Sequence, residues 1–354
     1  MKARAGMRAM IMAAGVGSRL MPLTAELPKP MVPVANRPVM ENIIGLLAQH
    51  GITEIIANLH CHGPVIKEHF GDGTRFGVSL LYSEEKELLG TAGGVRRCEW
   101  FLGDTFVVMS GDALTDVNLT DLVEAHKRNG ALATIALREM DEVEHYGVVI
   151  VGEDGLIQSF QEKPRREEAL SRLVNTGIYV FEREIFDYIP EGEFYDFGRQ
   201  VFPHLVRIKA PFYGHAIDRY WCDVGDIEAY RQAHRDVLEG RVDCPIEGQL
   251  LQGTLGVTNI LVGERVELGR GVTLKGCVVI GPGCRIGDGA VLEDAVIWED
   301  TVVEAKAVIR GSVIGSRCRI GRGAAVSPGA VIGSRYVVHE GTIVPENARL
   351  MPPR

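Results

Sequence analysis

Aliphatic side chains recur every six residues through the last quarter of this chain, and few folds accept that pattern. Val262, Leu268, Leu274, Ile280, Ile286 and Leu292 are each six apart. Ile297, Val303 and Ile309 continue the series, and Ile314, Ile320, Val326, Ile332, Val338 and Val344 complete it. Only the steps from Leu292 to Ile297 and from Ile309 to Ile314 are five residues long. Glycine directly follows many of these positions (Gly263, Gly269, Gly281, Gly287, Gly315, Gly321, Gly333). Small residues recur four places on, as at Cys284, Ala290, Cys318, Ala324 and Ala330. This is a hexapeptide repeat, the sequence form of a parallel β-helix. Each aliphatic residue stacks on its equivalent one coil away, so the core is continuous and needs several coils. Three hexapeptides make one coil in the left-handed version that the pattern resembles, so about five coils fit.

Before the repeat the period is different. From Met7 to Gly240, short apolar strands (Ala9 to Ala14, Glu54 to Leu59, Val78 to Tyr82, Thr105 to Ser110) alternate with helical patterns such as Val39 to His50 and Leu119 to Asn129. Such alternation predicts an α/β domain with a Rossmann-like, mostly parallel sheet covered on both faces. Ligands in that architecture bind beyond the carboxyl ends of the strands. Residues 241–256 carry glycines, a proline and mixed polar residues and read as a linker. The expected order is therefore an α/β domain at 7–240, the linker, and a left-handed β-helix at 257–354. A chain of 354 residues has room for this, because single cores stop growing near ~250–300 residues.

Composition removes several function classes. A formal charge of −9 argues against a general nucleic-acid binder, so any site for polyanions must be locally basic. No apolar run approaches the ~18 residues needed to cross a bilayer, and no membrane partner is expected. Lys2, Arg4 and Arg8 ahead of an apolar stretch would suit a secretory leader. That stretch is short, and Gly17 to Arg19 interrupt it where a small-residue cleavage site would fall. Met1 to Gly6 reads as a dispensable lead, with Met7 an alternative start, and the cytoplasm is the expected address. Seven cysteines without a C-x-x-C pair argue against a disulfide framework. His60, Cys61, His62 and His69 lack the spacing of a structural zinc site.

The first strand runs directly into Gly15-Val16-Gly17-Ser18-Arg19-Leu20, followed by Pro22-Leu23-Thr24 and Pro28-Lys29-Pro30. Glycines let a backbone turn tightly and bring its N–H groups close to a phosphate or a base edge. Arg19 adds a planar fork and Lys29 a point charge on a flexible stem. These are the means to hold a nucleoside triphosphate, with Ala13, Ala14, Gly15, Gly17, Ser18 and Arg19 as candidate contacts. A dinucleotide fingerprint would need glycine at Leu20, and a Walker-type loop would need Gly-Lys-Ser/Thr where Gly17-Ser18-Arg19 stands. The pattern G-x-G-x-R, with Lys29 between two prolines ten residues on, resembles the sugar-1-phosphate nucleotidyltransferases, the NDP-sugar pyrophosphorylases.

Further segments match that resemblance, which covers nearly the whole chain. Leu89-Gly90-Thr91-Ala92-Gly93-Gly94 opens a helix; Gly90, Thr91 and Ala92 are candidate base contacts, and the helix start is expected to offer free N–H groups. Met109-Ser110-Gly111-Asp112 ends a strand, with Gly111 giving room for a ribose, and Tyr220-Trp221-Cys222-Asp223 is a second strand end with a carboxylate. Two carboxylates at a phosphate site would repel it without a divalent cation between them, and magnesium fits, being held by one or two carboxylates plus substrate phosphates. The resemblance implies Asp112 and Asp223 as the metal ligands. It likewise implies Lys163 as the grip on the sugar phosphate, and Gly147, Glu162 and Asn175 as contacts to the sugar.

The reaction implied is attack of a sugar 1-phosphate oxygen, already anionic, on the α-phosphorus of the nucleotide. Catalysis is then alignment and electrostatic stabilisation rather than base catalysis. Arg19 is expected to hold the departing pyrophosphate and Lys29 to stabilise charge near the α-phosphate. Lys163 is expected to bring in the nucleophile. Leu-Gly-Thr-Ala-Gly at 89–93, Asp196-Phe197-Gly198-Arg199 and Trp221-Cys222-Asp223-Val224-Gly225 resemble the mannose-1-phosphate guanylyltransferase branch, implying GTP and mannose 1-phosphate as substrates. Glucose 1-phosphate with another nucleotide stays open. A regulatory subunit without activity is a rival, although such a chain would be expected to lose the charges at Arg19, Lys29, Asp112, Lys163 and Asp223. An acyltransferase β-helix is another, although His339 is the only histidine after residue 240. The flat stacked surface of the β-helix suggests assembly into a homo-oligomer or regulation.

Overall fold

The computed structural model describes residues 6–251 and 259–352. Most of the short lead, the end of the expected linker and the first residues of the expected β-helix segment (252–258) lie outside the described residues. The chain forms two compact units, one of residues 1–15 and 43–223 and one of residues 16–42 and 224–354.

Strand β1 (Arg8–Met12) is followed by a hairpin of β2 (Pro33–Val34) and β3 (Arg37–Pro38), then helix α1 (Val39–Gln49). β4 (Glu54–Leu59), α2 (Gly63–Phe70), β5 (Ser79–Glu84), α3 (Gly90–Arg97) and β6 (Thr105–Ser110) continue the alternation. Next come β7 (Ala113–Thr115), α4 (Leu119–Arg128), β8 (Ala133–Glu139), β9 (Gly147–Val151), β10 (Ile157–Glu162) and β11 (Leu173–Glu182). α5 (Phe202–Arg207), β12 (Phe212–Ala216) and β13 (Trp221–Asp223) complete the first unit.

The main sheet of that unit has the order β10-β9-β11-β6-β1-β4-β5, with β8 on β11 and β12 on β8. β5, β4, β1 and β6 run parallel, as the alternation predicts. β11 then enters antiparallel to β6, and β10 is antiparallel to β9. The β9–β10 pair is antiparallel because a short turn joins the two strands and reverses the chain, and with β11 it makes the sheet mixed. Ala9, Met10 and Ile11 of β1 and the run Phe106 to Met109 of β6 are wholly buried, as strands covered on both faces must be. On one side lies an aromatic layer of Phe106, Tyr179, Phe181, Phe197, Phe202 and Phe212. α4 begins where Asn118 Oδ1 accepts from Asp121 N–H, and it buries Leu119, Leu122 and Val123.

The second unit is built on the β-helix, with α6 (Ile227–Leu238) and β14 (Gln249–Leu251) ahead of it. Its strands form three parallel sheets, two of which hold five strands each among the described residues. The repeat positions stack as expected: Leu274, Leu292, Ile309, Val326 and Val344 form one column. Ile280 pairs Ile297 and Ile297 pairs Ile314, 17 residues apart, whereas Ile314 pairs Ile332, 18 apart. The two five-residue steps therefore shorten two coils without breaking the column. The recurring glycines have a steric cause. A Cβ at Gly281, Gly287 or Gly321 would sit 2.5 Å from a backbone nitrogen of the next coil. β14, inside the expected linker, pairs antiparallel with Ile260–Val262 and covers that edge.

One outer face of the β-helix is not left to water. Leu261, Val279, Val296, Val313 and Val331 alternate with inward residues along their strands, yet all are buried. α6 and the β2–β3 hairpin lie on this side, where Trp298 Nε1 donates to Tyr230 Oη and Asn36 Nδ2 to the Ile280 carbonyl.

Candidate active site

In the first unit, the start of the glycine loop is set by two buried polar side chains. Ala13 N–H donates to Asn58 Oδ1 (2.8 Å), and Asn58 Nδ2 donates to Glu85 Oε1 (2.7 Å). Glu85 Oε2 accepts from Leu89 N–H (3.1 Å), so one relay joins the end of β1 to the loop before α3. A Cβ at Gly94 would come within 2.8 Å of both Asn58 and Glu85, which explains that glycine. Sequence reasoning missed Asn58 and Glu85. The available signal was an asparagine inside the otherwise apolar run of β4.

Around α3, Gly90 has φ +75°, and a Cβ there would meet the Tyr195 carbonyl at 2.5 Å. Ala92 and Gly93 N–H both donate to that same carbonyl (3.0 Å each). The helix start is therefore less open than expected, because a neighbouring loop already takes these two amides. Thr91 Oγ1 donates to Asp196 Oδ2 (2.9 Å) and accepts from Phe197 N–H (2.8 Å). Asp196 Oδ1 accepts from Gly198 and Arg199 N–H, so the Asp196–Arg199 segment noted in the sequence fastens the Gly90–Thr91 turn.

Of the two candidate metal ligands, Asp112 stands in the turn between β6 and β7, and Asp223 ends β13. Gly111 N–H donates to the Met12 carbonyl (2.9 Å), bringing the ends of β6 and β1 together. Asp112 follows, its Oδ1 accepting from Ser110 Oγ (2.7 Å). β7 pairs antiparallel with β13, placing Ala113 opposite Asp223, so Asp112 immediately precedes the residue that faces Asp223. Trp221 Nε1 donates to the Thr176 carbonyl (2.9 Å) and anchors β13. Among the described residues no group of three or more His, Cys, Asp and Glu side chains forms a cation cage. A two-carboxylate site suits magnesium, which keeps its remaining positions for phosphate oxygens and water.

The sugar-side residues cluster at the end of β10. Glu162 pairs across the sheet with Gly147, and Lys163 N–H donates to the Tyr146 carbonyl (3.1 Å). Lys163 has φ 48°, a left-handed conformation that turns its exposed side chain out of the strand. The Glu162 carboxylate lies over Gly198, where any Cβ would displace it. Burial pushes the Glu162 carboxyl above its ordinary pKa, against the pull of Lys163 beside it. Asn175 Oδ1 accepts from Gly177 N–H (2.9 Å) and its Nδ2 donates to Tyr179 Oη (3.0 Å). A Cβ at Gly177, with φ +75°, would sit 2.9 Å from Ser110 Cβ.

The second unit holds the rest of the glycine loop. Gly17 adopts φ 68° ahead of a short 3-10 turn, Ser18–Leu20. Leu20 is wholly buried, whereas Ser18 and Arg19 are exposed. Thr24 Oγ1 donates to the Gly17 carbonyl (2.7 Å), a contact that sequence reasoning did not foresee. A Cβ at Gly17 would lie 3.0 Å from Lys29 Cβ, so the G-x-G loop and the Pro-Lys-Pro segment pack on each other. Lys29 is only 9% exposed, an uncommon burial for a lysine and one that positions its stem closely.

No helix among the described residues is long and apolar enough to cross a membrane. Residues 8–240 match the Nucleotidyl transferase family, and residues 256–353 match the GMPPB C-terminal domain. A UTP–glucose-1-phosphate uridylyltransferase of Synechocystis is 40% identical, over 94% of this chain and 88% of its own. A mannose-1-phosphate guanylyltransferase of Mycobacterium tuberculosis is 34% identical, over 77% of this chain and 79% of its own. Among solved structures, a Bacillus anthracis chain assigned as a glucose-1-phosphate thymidylyltransferase is similar with a TM-score of 0.59 and 28% identity, covering 65% of this chain and 94% of that one.

Proposed function

Because the chain belongs to the sugar-1-phosphate nucleotidyltransferase family, we propose that it joins GTP to mannose 1-phosphate, giving GDP-mannose and pyrophosphate. A phosphate oxygen of the sugar attacks the α-phosphorus, the bond from that phosphorus to the bridging oxygen breaks, and pyrophosphate departs. The nucleophile is already an anion, so no side chain has to remove a proton. The work is alignment and charge. Lys163, exposed at the end of β10, draws in the sugar phosphate, and Glu162 with Asn175 and the backbone at Gly147 orients the ring. Arg19 takes the departing pyrophosphate, and Lys29 offsets charge near the α-phosphate. Asp112 and Asp223 would hold magnesium, whose bound charge neutralises the triphosphate.

The assignment of the site is supported by the pairing of β7 with β13, in which Asp223 faces Ala113, the residue after Asp112. The choice of mannose and guanine is supported by the match of residues 256–353 to the GMPPB C-terminal domain and by the guanylyltransferase named above. A second reading, UTP with glucose 1-phosphate, is favoured by the 40% identical uridylyltransferase. Pyrophosphate release from GTP, ATP, UTP and dTTP against mannose and glucose 1-phosphates decides between them. GTP with mannose 1-phosphate is expected to exceed every other pair by about tenfold or more, the scale of one well-made pocket contact. A preference for UTP and glucose 1-phosphate would install the second reading. In the same assay Asp112→Asn is expected to cost at least ~10²-fold in turnover, and a near-normal rate would remove Asp112 from the site.

A further inference from the structure

Lys29 and the hairpin after it are held by residues distant in the chain, all within the second unit. Tyr230 of α6 is wholly buried; its hydroxyl donates to the Pro33 carbonyl (2.8 Å) and accepts from Trp298 Nε1 (2.8 Å). Trp298 belongs to the β-helix ladder, where its N–H donates to the Ile314 carbonyl (2.9 Å) and its carbonyl accepts from Cys284 Sγ (3.0 Å). Beside this relay, Ala35 N–H donates to His234 Nδ1 (3.3 Å), and Asn36 Nδ2 donates to the carbonyls of Glu247 (3.0 Å) and Ile280 (3.2 Å). Glu26, in the loop before Lys29, pairs with Arg335 of a later coil. Ala35 and Asn36 form the two-residue turn at φ 49° and 67°, a shape that alanine rarely takes. The clamp thus holds a turn that the local sequence would not choose.

The path from Pro33 back to Lys29 is stiff. Pro28, Pro30 and Pro33 each lock φ, and Val32 N–H donates to the Lys29 carbonyl (3.1 Å). A displacement at Pro33 is therefore transmitted to Lys29 rather than absorbed, and the Lys29 stem is confined against Gly17. We propose that Tyr230, held by Trp298, is a positioning residue that sets Lys29 for the reaction, so that the β-helix controls the lysine. This rests on the role given to Lys29 above.

Full-length Tyr230→Phe and Trp298→Phe test it, since each removes one polar atom of the relay and keeps an aromatic ring. At saturating substrates kcat is expected to fall about 5- to 10-fold for Tyr230→Phe and about threefold for Trp298→Phe, the scale of one buried hydrogen bond. KM for the sugar 1-phosphate should stay within about twofold. In a Lys29→Ala background, Tyr230→Phe should lower the residual rate by less than about twofold, because the side chain it acts through is gone. A merely structural tyrosine would lower thermal stability, leave kcat per folded molecule unchanged and show no such non-additivity. Normal kcat in both aromatic variants, with Lys29→Ala down at least ~10²-fold, overturns the coupling alone. A near-normal Lys29→Ala overturns the role of Lys29 itself. Should Tyr230→Phe not fold, amide exchange of residues 29–38 in Trp298→Phe decides: faster exchange with lowered kcat supports the coupling, and unchanged exchange overturns it.

Discussion

A residue proposed for the site can sit there at some expense to the fold. Glu162 is the example, a part-buried carboxylate whose pKa burial pushes above the ordinary carboxylate value. Its folded pKa is raised, so its contribution favours the fold below the unfolded value of 4.5 and is lost as pH rises through the folded value. The folded chain therefore holds this carboxyl more easily as the neutral acid than as the carboxylate. Glu162→Gln is expected to raise the thermal midpoint more at pH 7 than at pH 4 while lowering turnover. Scanning fluorimetry at both pH values with a parallel activity assay checks this, and equal shifts at the two pH values would refute it. The charged candidates at 19, 29, 112, 163 and 223 could be proposed from the sequence because each stands in a short local motif. Asn58 and Glu85 were not, because their partners are the amides of Ala13 and Leu89, brought near only by strand pairing and loop closure.

At the scale of elements, glycine means different things in the two units. Gly287 carries no special φ, yet a Cβ there would strike the backbone of the next coil at 2.5 Å, and the stacked strands cannot separate to admit it. Gly45 sits on the exposed side of α1 with open space around it. Gly287→Ala is expected to lower the thermal midpoint by several degrees. Gly45→Ala should raise it, since alanine gains about 0.5–1 kcal/mol over glycine inside a helix. Thermal melts of the two variants, read against the parent, separate steric from entropic roles; similar shifts for both would contradict the coil-contact account. The repeat itself was fully legible, because six-residue periodicity is a local property of the sequence. The antiparallel entry of β11 was not, because strand direction depends on which edge of the sheet is left to pair.

For the whole molecule, the change of sequence period near residue 240 and the division into compact units fall at different places. α6 and residues 16–42 group with the β-helix, and Tyr230 finds its partner in Trp298. A chain ending at Gly240 would expose Tyr230 and leave its hydroxyl, which donates to the Pro33 carbonyl, without the Trp298 N–H that it accepts from. Such a chain is expected to aggregate or to melt well below the full protein, as size-exclusion chromatography and circular dichroism would show. A monomeric product with the parent's stability and turnover would contradict this. Read alone, the order of amino acids already dictated the β-helix, the α/β alternation and the kind of chemistry, since each is written in residues close together along the chain. Which surfaces bury one another was settled in three dimensions, because that depends on complementary faces contributed by segments tens to hundreds of residues apart.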